Sequence, residues 1–204
     1  MADDVRAVCL PPFRRLIDRL AGLRLTILYE DPFESYFHQR ATTKTWDLPT
    51  FTGVAKRQGG RVLDVGCARG RVALALTREG LEVTAIDGSH AVVARLRATL
   101  AAGVDVTALY ADLFDRSAGL RVPYATITLG NTSVNMFVTD ERLLAFLTRT
   151  HELLAPDGVL RLPVLAPQAL AFYSRRNGVI TDDSILGGTL VKRYGADFTK
   201  TVTA

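Results

Sequence analysis

Cysteine is nearly absent from this 204-residue chain, which has only Cys9 and Cys67. Cys67 sits inside a glycine-containing stretch, so a stabilising disulfide is not expected and a reducing compartment fits. No apolar run approaches the roughly 18 residues that a membrane span needs. The first residues, Met1-Ala2-Asp3-Asp4, are acidic and lack the hydrophobic centre of a secretory signal. These absences read as a soluble, cytoplasmic chain with no membrane partner. Charge of one sign is also lacking as a block. The formal net charge is +4, but the basic residues are spread as Arg14-Arg15, Lys56-Arg57, Arg175-Arg176 and single arginines on apolar-periodic segments. Nucleic-acid binders gather charge on one surface, so solvated helix faces are favoured here over a nucleic-acid partner. No repeat and no low-complexity tract appears. With 48% hydrophobic and 23% charged residues, the chain can build one sizeable core.

Two regimes follow along the chain. Phe13, Leu16, Ile17, Leu20, Leu25 and Leu28 recur at helical spacing up to Asp31-Pro32, and an aromatic-rich piece with Phe33, Tyr36 and Phe37 runs on to Trp46. Two or three helices outside the main sheet are expected in this part, within a first unit of residues 1–60. From Arg61 short apolar runs alternate with amphipathic segments, as parallel βαβ units require. The expected strands are 62–65, 82–86, 104–110, 124–129 and 159–164, with helices over 71–78, 91–101 and 141–154. Pro156-Asp157-Gly158 reads as a turn before the fifth strand. Residues 189–194 and 198–202 look like an antiparallel pair.

The most informative stretch is Val62-Leu63-Asp64-Val65-Gly66-Cys67-Ala68-Arg69-Gly70. A buried strand enters a glycine turn that opens a helix. Glycine at 66 and 70 allows positive φ and close ligand approach, and the turn and helix-start amides can then face an anion or polar ligand. An acid, Asp87, follows 23 residues after Asp64 at the end of the next strand, followed by Gly88. That separation is close to the roughly 20 expected between such a turn and a ribose-binding acid. Each part has a plainer reading: the turn as a tight connection, Asp87 as a helix cap. The combination with the βαβ order favours a nucleoside-type ligand.

This stretch resembles motif I of the class I S-adenosylmethionine (SAM) dependent methyltransferases, whose loop reads Asp/Glu-x-Gly-x-Gly-x-Gly. Asp64, Gly66 and Gly70 match, while Ala68 stands where the middle glycine belongs and is expected to avoid positive φ. The nicotinamide pattern Gly-x-Gly-x-x-Gly is not met. The resemblance covers roughly residues 61–165. It implies a doubly wound, mostly parallel α/β sheet of Rossmann-like type over 61–204, with SAM as cofactor. The cofactor-binding set it implies is Asp64, Gly66, Cys67, Ala68 and Gly70 in the loop, Asp87 and Gly88 at the ribose, Asp112 and Leu113 at the adenine, and Gly130 and Asn131 after the fourth strand. The family's sheet usually closes with antiparallel sixth and seventh strands. The chain is therefore expected to end within or just after its last strand, with that edge covered by another chain or by further residues.

On the acceptor side, Gly130-Asn131-Thr132-Ser133-Val134-Asn135 lies at the carboxyl end of a strand, where open α/β sheets bind ligands. No Asn/Asp-Pro-Pro-Tyr or Pro-Cys motif and no Asp/Glu/His metal cluster is present. The segment resembles small-molecule and peptide amine N-methyltransferases of bacterial natural-product pathways, of glycopeptide or daptide type. The acceptor implied is an amine of a peptide or small molecule. An O-methyltransferase using His38 as base, a non-catalytic SAM-binding partner protein and a nicotinamide oxidoreductase are the alternatives, and a homodimer is a possible assembly. Catalytic candidates are Tyr29, Tyr36, His38, Ser133 and Asn135. Ser133 and Asn135 could equally cap the following segment, and the aromatics could be core rather than lid. His90 falls near the adenine edge, and His151 reads as a surface or packing residue.

Overall fold

The computed structural model describes residues 45–101, 104–131, 133–137, 139–164, 178–185, 188–194 and 199–203. Tyr29, Tyr36, His38 and the expected N-terminal helices lie outside the described residues. Helix α1 covers Leu48–Gln58 and begins with a proline in its first turn, where a missing N–H costs nothing. Lys56 and Arg57 lie at the helix's negative end. The remaining elements alternate: β1 Val62–Val65, α2 Arg71–Arg78, β2 Val83–Asp87, α3 His90–Thr99, β3 Val106–Tyr110, β4 Tyr124–Leu129, a 3-10 turn Ser133–Met136, α4 Asp140–Leu153 and β5 Leu154–Arg161.

These five strands form one sheet in the order β3-β2-β1-β4-β5, and every pairing in it is parallel. The order reverses between β1 and β4, which creates a crevice at their carboxyl ends. β1 and β2 are buried along their whole lengths, as expected of strands covered on both faces. One face packs Phe51 and Ala55 of α1, Val72, Ala73 and Leu76 of α2, and Val93 and Leu96 of α3. The other packs Phe146 and Leu153 of α4 against Leu63, Ile86, Ile127 and Leu129. Helix starts follow local chemistry. The Ser89 hydroxyl accepts the Val92 amide at 3.3 Å, and the Thr139 hydroxyl accepts the Arg142 amide at 3.3 Å.

One expectation needs correction and another is extended. Pro156-Asp157-Gly158 does not precede the fifth strand but lies inside it. Leu154 pairs with Tyr124 and Val159 with Thr126, so the extra residues form an irregularity in this strand. A Cβ on Gly158 would come within 2.9 Å of the Tyr124 carbonyl oxygen and 3.0 Å of the Ala155 nitrogen, so the turn-forming glycine is required even within a strand. The expected antiparallel pair exists as β7 Gly188–Tyr194 and β8 Thr199–Thr203, but it has a third member, β6 Gly178–Ile185. The three pair as a separate sheet, β6-β7-β8, rather than on the edge of the parallel one.

Candidate cofactor crevice

The β1–α2 connection is held from below by Asp64. Its side chain is only 2% exposed, with one carboxylate oxygen accepting the Ala73 amide at 3.2 Å and the other the Thr128 hydroxyl at 2.8 Å. One buried side chain thus fixes the start of α2 to both β1 and β4. Burial dominates its electrostatics and pushes its pKa up to about 7, against the hydrogen bonds from Thr128 and Ala73 and the positive charge of Arg71. Cys67 continues the strand ladder through its amide to the Ile86 carbonyl at 3.0 Å. Its thiol is buried, and burial raises its pKa, so it is a packing group rather than a nucleophile.

Gly66 and Gly70 both take positive φ, at 62° and 79°. At Gly70 a Cβ would also meet Leu96 at 2.6 Å, so this glycine serves both turn and packing. Ala68 departs from expectation, because it too is left-handed, at φ 48°. The reason is visible one strand over: its amide donates to an Asp87 carboxylate oxygen at 3.0 Å, and that bond holds the backbone in the glycine-like conformation. The other Asp87 oxygen accepts the Ser89 amide at 2.9 Å. Asp87 therefore ties the tips of two loops together from a largely buried position at the end of β2. Gly88 faces open space at its missing Cβ.

Around this centre the other sequence-derived residues gather at the carboxyl ends of the strands. The Ala111 amide donates to the Asp87 carbonyl at 3.1 Å, which brings Asp112 and Leu113 alongside β2. Asp112 is exposed and accepts the Phe114 amide at 2.9 Å, while Leu113 is buried. His90 meets Tyr110 edge-on at a centroid separation of 5.4 Å. Past β4, Asn131 is left-handed at φ 54°, and the Ser133 hydroxyl donates to the Gly130 carbonyl at 2.9 Å. That bond runs back to the turn before the 3-10 segment and is not a cap on the segment that follows. Asn135 lies in the same 3-10 turn. His151 is an exposed residue of α4's last turn.

Two groups here escaped the sequence reading. Arg71 forms a two-pronged ion pair with Asp47, one contact being 2.9 Å, and both side chains are mostly buried. Arg161, the last residue of β5, stands over the Phe51 ring. The signal available was the spacing of Asp47, Phe51 and Ala55, four residues apart on one face of a helix that starts with proline. Among the described residues no group of three His, Cys, Asp or Glu could hold a metal ion, and no helix is long and apolar enough to cross a membrane.

Residues 62–158 match a family model described as a methyltransferase domain. Over 109 residues the chain is 32% identical to the carboxy-S-adenosyl-L-methionine synthase of Aeromonas salmonicida, spanning 50% of this chain and 42% of the relative. It is 38% identical over 100 residues to the 23S rRNA (uracil(1939)-C(5))-methyltransferase RlmD of Halomonas elongata, spanning 48% of this chain and 19% of that protein. The chain therefore spans less than half the length of these curated relatives. Among solved structures, the fold is similar to the amino pentose methyltransferase CalS10 of Micromonospora echinaspora. The TM-score is 0.58 at 23% identity, with 90% of this chain and 83% of that one covered. It is also similar to the glycopeptide N-methyltransferase MtfA, with a TM-score of 0.53 at 19% identity over 76% of this chain and 75% of that one. The family model, the five-stranded order and the glycine loop tied to Asp87 agree, and residues 62–158 form a SAM-binding methyltransferase domain on a sheet of the class I, Rossmann-like order.

Proposed function

We propose that the whole protein is a SAM-dependent methyltransferase that N-methylates an amine of a peptide or small-molecule natural product. The observation that carries the cofactor part is the Asp87 carboxylate at the end of β2, held by the amides of Ala68 and Ser89 beside the glycine loop, where the resemblance puts the ribose hydroxyls. The cradle fits the ligand. Gly66 has only Leu129 near its missing Cβ, at 3.8 Å, and Gly88 has nothing within 4 Å. In this reading Gly66, Ala68 and Gly70 form the floor for the amino-acid part. Asp112 and Leu113 flank the adenine, and Gly130 and Asn131 border the sulfonium. Asp64 and Cys67 act one layer below, by positioning the loop.

SAM, when bound, supplies a methyl group on a sulfonium whose thioether leaves readily. The protein's task is to align the acceptor nitrogen, keep it unprotonated and exclude water. Effective molarities of about 10⁵–10⁸ M show what alignment alone can contribute. A desolvated pocket lowers an amine's pKa without a dedicated base. Residues ahead of the sheet, with Tyr29 and Tyr36, are proposed as the lid that closes this pocket, and His38, Ser133 and Asn135 as further acceptor-side groups. Support for an amine comes from the fold's similarity to an amino pentose methyltransferase and a glycopeptide N-methyltransferase. The curated relatives act elsewhere, one on an rRNA uracil carbon, so the span shared with them follows the cofactor rather than the acceptor.

Isothermal calorimetry and a tritiated-SAM assay test the two parts. Asp87→Ala should weaken SAM binding by roughly 30- to 1000-fold, the loss of two charge-assisted hydrogen bonds. Unchanged affinity would remove Asp87 from the site. Label transferred to hydroxylated compounds but not to amines or peptides would overturn the N-methylation reading.

A further inference from the structure

Arg161 closes β5 and sits beside Thr128, one residue from the end of β4, in the parallel register. It is therefore at the carboxyl edge of the sheet, where the crevice opens. The strand order places β2 and β3, with Asp87 and Asp112, on one side of β1, and β4 and β5 on the other. Arg161 thus lies on the half of the crevice away from the ribose and adenine groups. Its guanidinium carbon is 5.8 Å from the centroid of the Phe51 ring. Its Nε is buried and has no hydrogen-bond partner.

Among the described residues no other arginine has a buried nitrogen without a partner. Arg71 is paired with Asp47, Arg97 donates twice to the Ala108 carbonyl, and Arg149 donates to the Leu113 carbonyl and to Glu152. Asp47, one helical turn before Phe51, is already engaged by Arg71. A buried donor without a partner is costly, and a cation resting on an aromatic face gains only part of what a carboxylate would give. The ring contact gives the guanidinium N–H groups no acceptor, and a planar or tetrahedral anion is what Arg binds with two parallel bonds.

We propose that Arg161 binds an anionic group, a carboxylate or a phosphate, carried by the methyl acceptor. This rests on the methyltransferase reading and narrows it: the acceptor is an amine that also bears a negative charge. The test titrates inorganic phosphate and, separately, acetate into the full-chain protein, alone and saturated with S-adenosylhomocysteine, by calorimetry. One saturable site is expected in both forms. Its affinity should fall about 10- to 100-fold in Arg161→Met and recover in part in Arg161→Lys, which restores charge without the fork. Affinity for S-adenosylhomocysteine should stay unchanged in both variants, and the melting temperature should not fall. The stronger of the two anions identifies the group. Anion binding that is absent, or equal in wild type and Arg161→Met, overturns the inference, as does a parallel loss of S-adenosylhomocysteine affinity. If S-adenosylhomocysteine fails to bind wild type while the anion site behaves as described, the methyltransferase reading fails and the Arg161 site stands.

Discussion

At Ala68 the backbone is left-handed at φ 48°, a region where a Cβ crowds the following carbonyl and costs about 1–2 kcal/mol. The bond from its amide to Asp87 offsets that cost and explains why an alanine holds a glycine's place in the loop. The sequence comparison with motif I located this residue but assumed that its side chain would dictate its φ. The carboxylate one strand away decided instead, and nothing in the local residues announces that. Two substitutions separate the terms. Ala68→Gly should leave stability equal or raise it by up to about 1 kcal/mol, since relief of the strain is partly offset by the freer unfolded chain. Ala68→Val should lower it by about 1–3 kcal/mol, because a β-branched side chain is a genuine outlier there. Urea denaturation of the three proteins reads the order, and a Val variant as stable as wild type would show that the loop relaxes out of the left-handed region.

Among the elements, α1 shows how a segment outside the βαβ repeat becomes part of the core. Phe51 and Ala55 are buried against the sheet, and the Asp47–Arg71 pair joins the residue before the helix to the first residue of α2. The amphipathic pattern that ends at Trp46 gave no reason to extend the reading across Asp47-Leu48-Pro49, because charge and proline usually mark a boundary. The βαβ elements were legible for the opposite reason. Their short, near-continuous apolar runs are those of strands buried on both faces, and the amphipathic segments between them are the helices that cover the sheet. Pro156-Asp157-Gly158 was legible as chemistry but not as place, since a bend can lie within a strand as well as before it. The ion pair leads to a definite expectation. Arg71→Met should destabilise the domain by about 1–3 kcal/mol, as should Asp47→Asn, because each removes one charge of a largely buried, two-pronged ion pair. The double variant should cost less than the sum of the two. Strict additivity in thermal or urea melts would show that the pair contributes no coupling and that α1 is held by Phe51 and Ala55 alone.

For the whole domain, acidity reports on how the two halves of the sheet are joined. Asp64 lies at the reversal point between β1 and β4 and bonds to both Thr128 and α2. Its burial holds the folded pKa at about 7, against an ordinary value of 3.8. Between those two values the folded state keeps a proton that the unfolded chain has released. Stability therefore falls as pH rises from about 4 to about 7, at no more than about 1.4 kcal/mol per pH unit and on the order of 4 kcal/mol in all, and this contribution is flat above pH 7. Asp64→Asn removes the titration while keeping the shape. The amide oxygen can accept from Ala73, and the amide nitrogen can donate to the Thr128 hydroxyl, which in turn reaches the Leu63 carbonyl at 3.4 Å. Urea unfolding of both proteins at pH 5, 6, 7 and 8 gives the difference directly. The Asn variant should gain on wild type steadily up to pH 7 and hold that gain at pH 8. A difference that does not change with pH would mean that Asp64 is ionised throughout the range, and that the hydrogen bonds from Thr128 and Ala73, with the charge of Arg71, outweigh the cost of burying it.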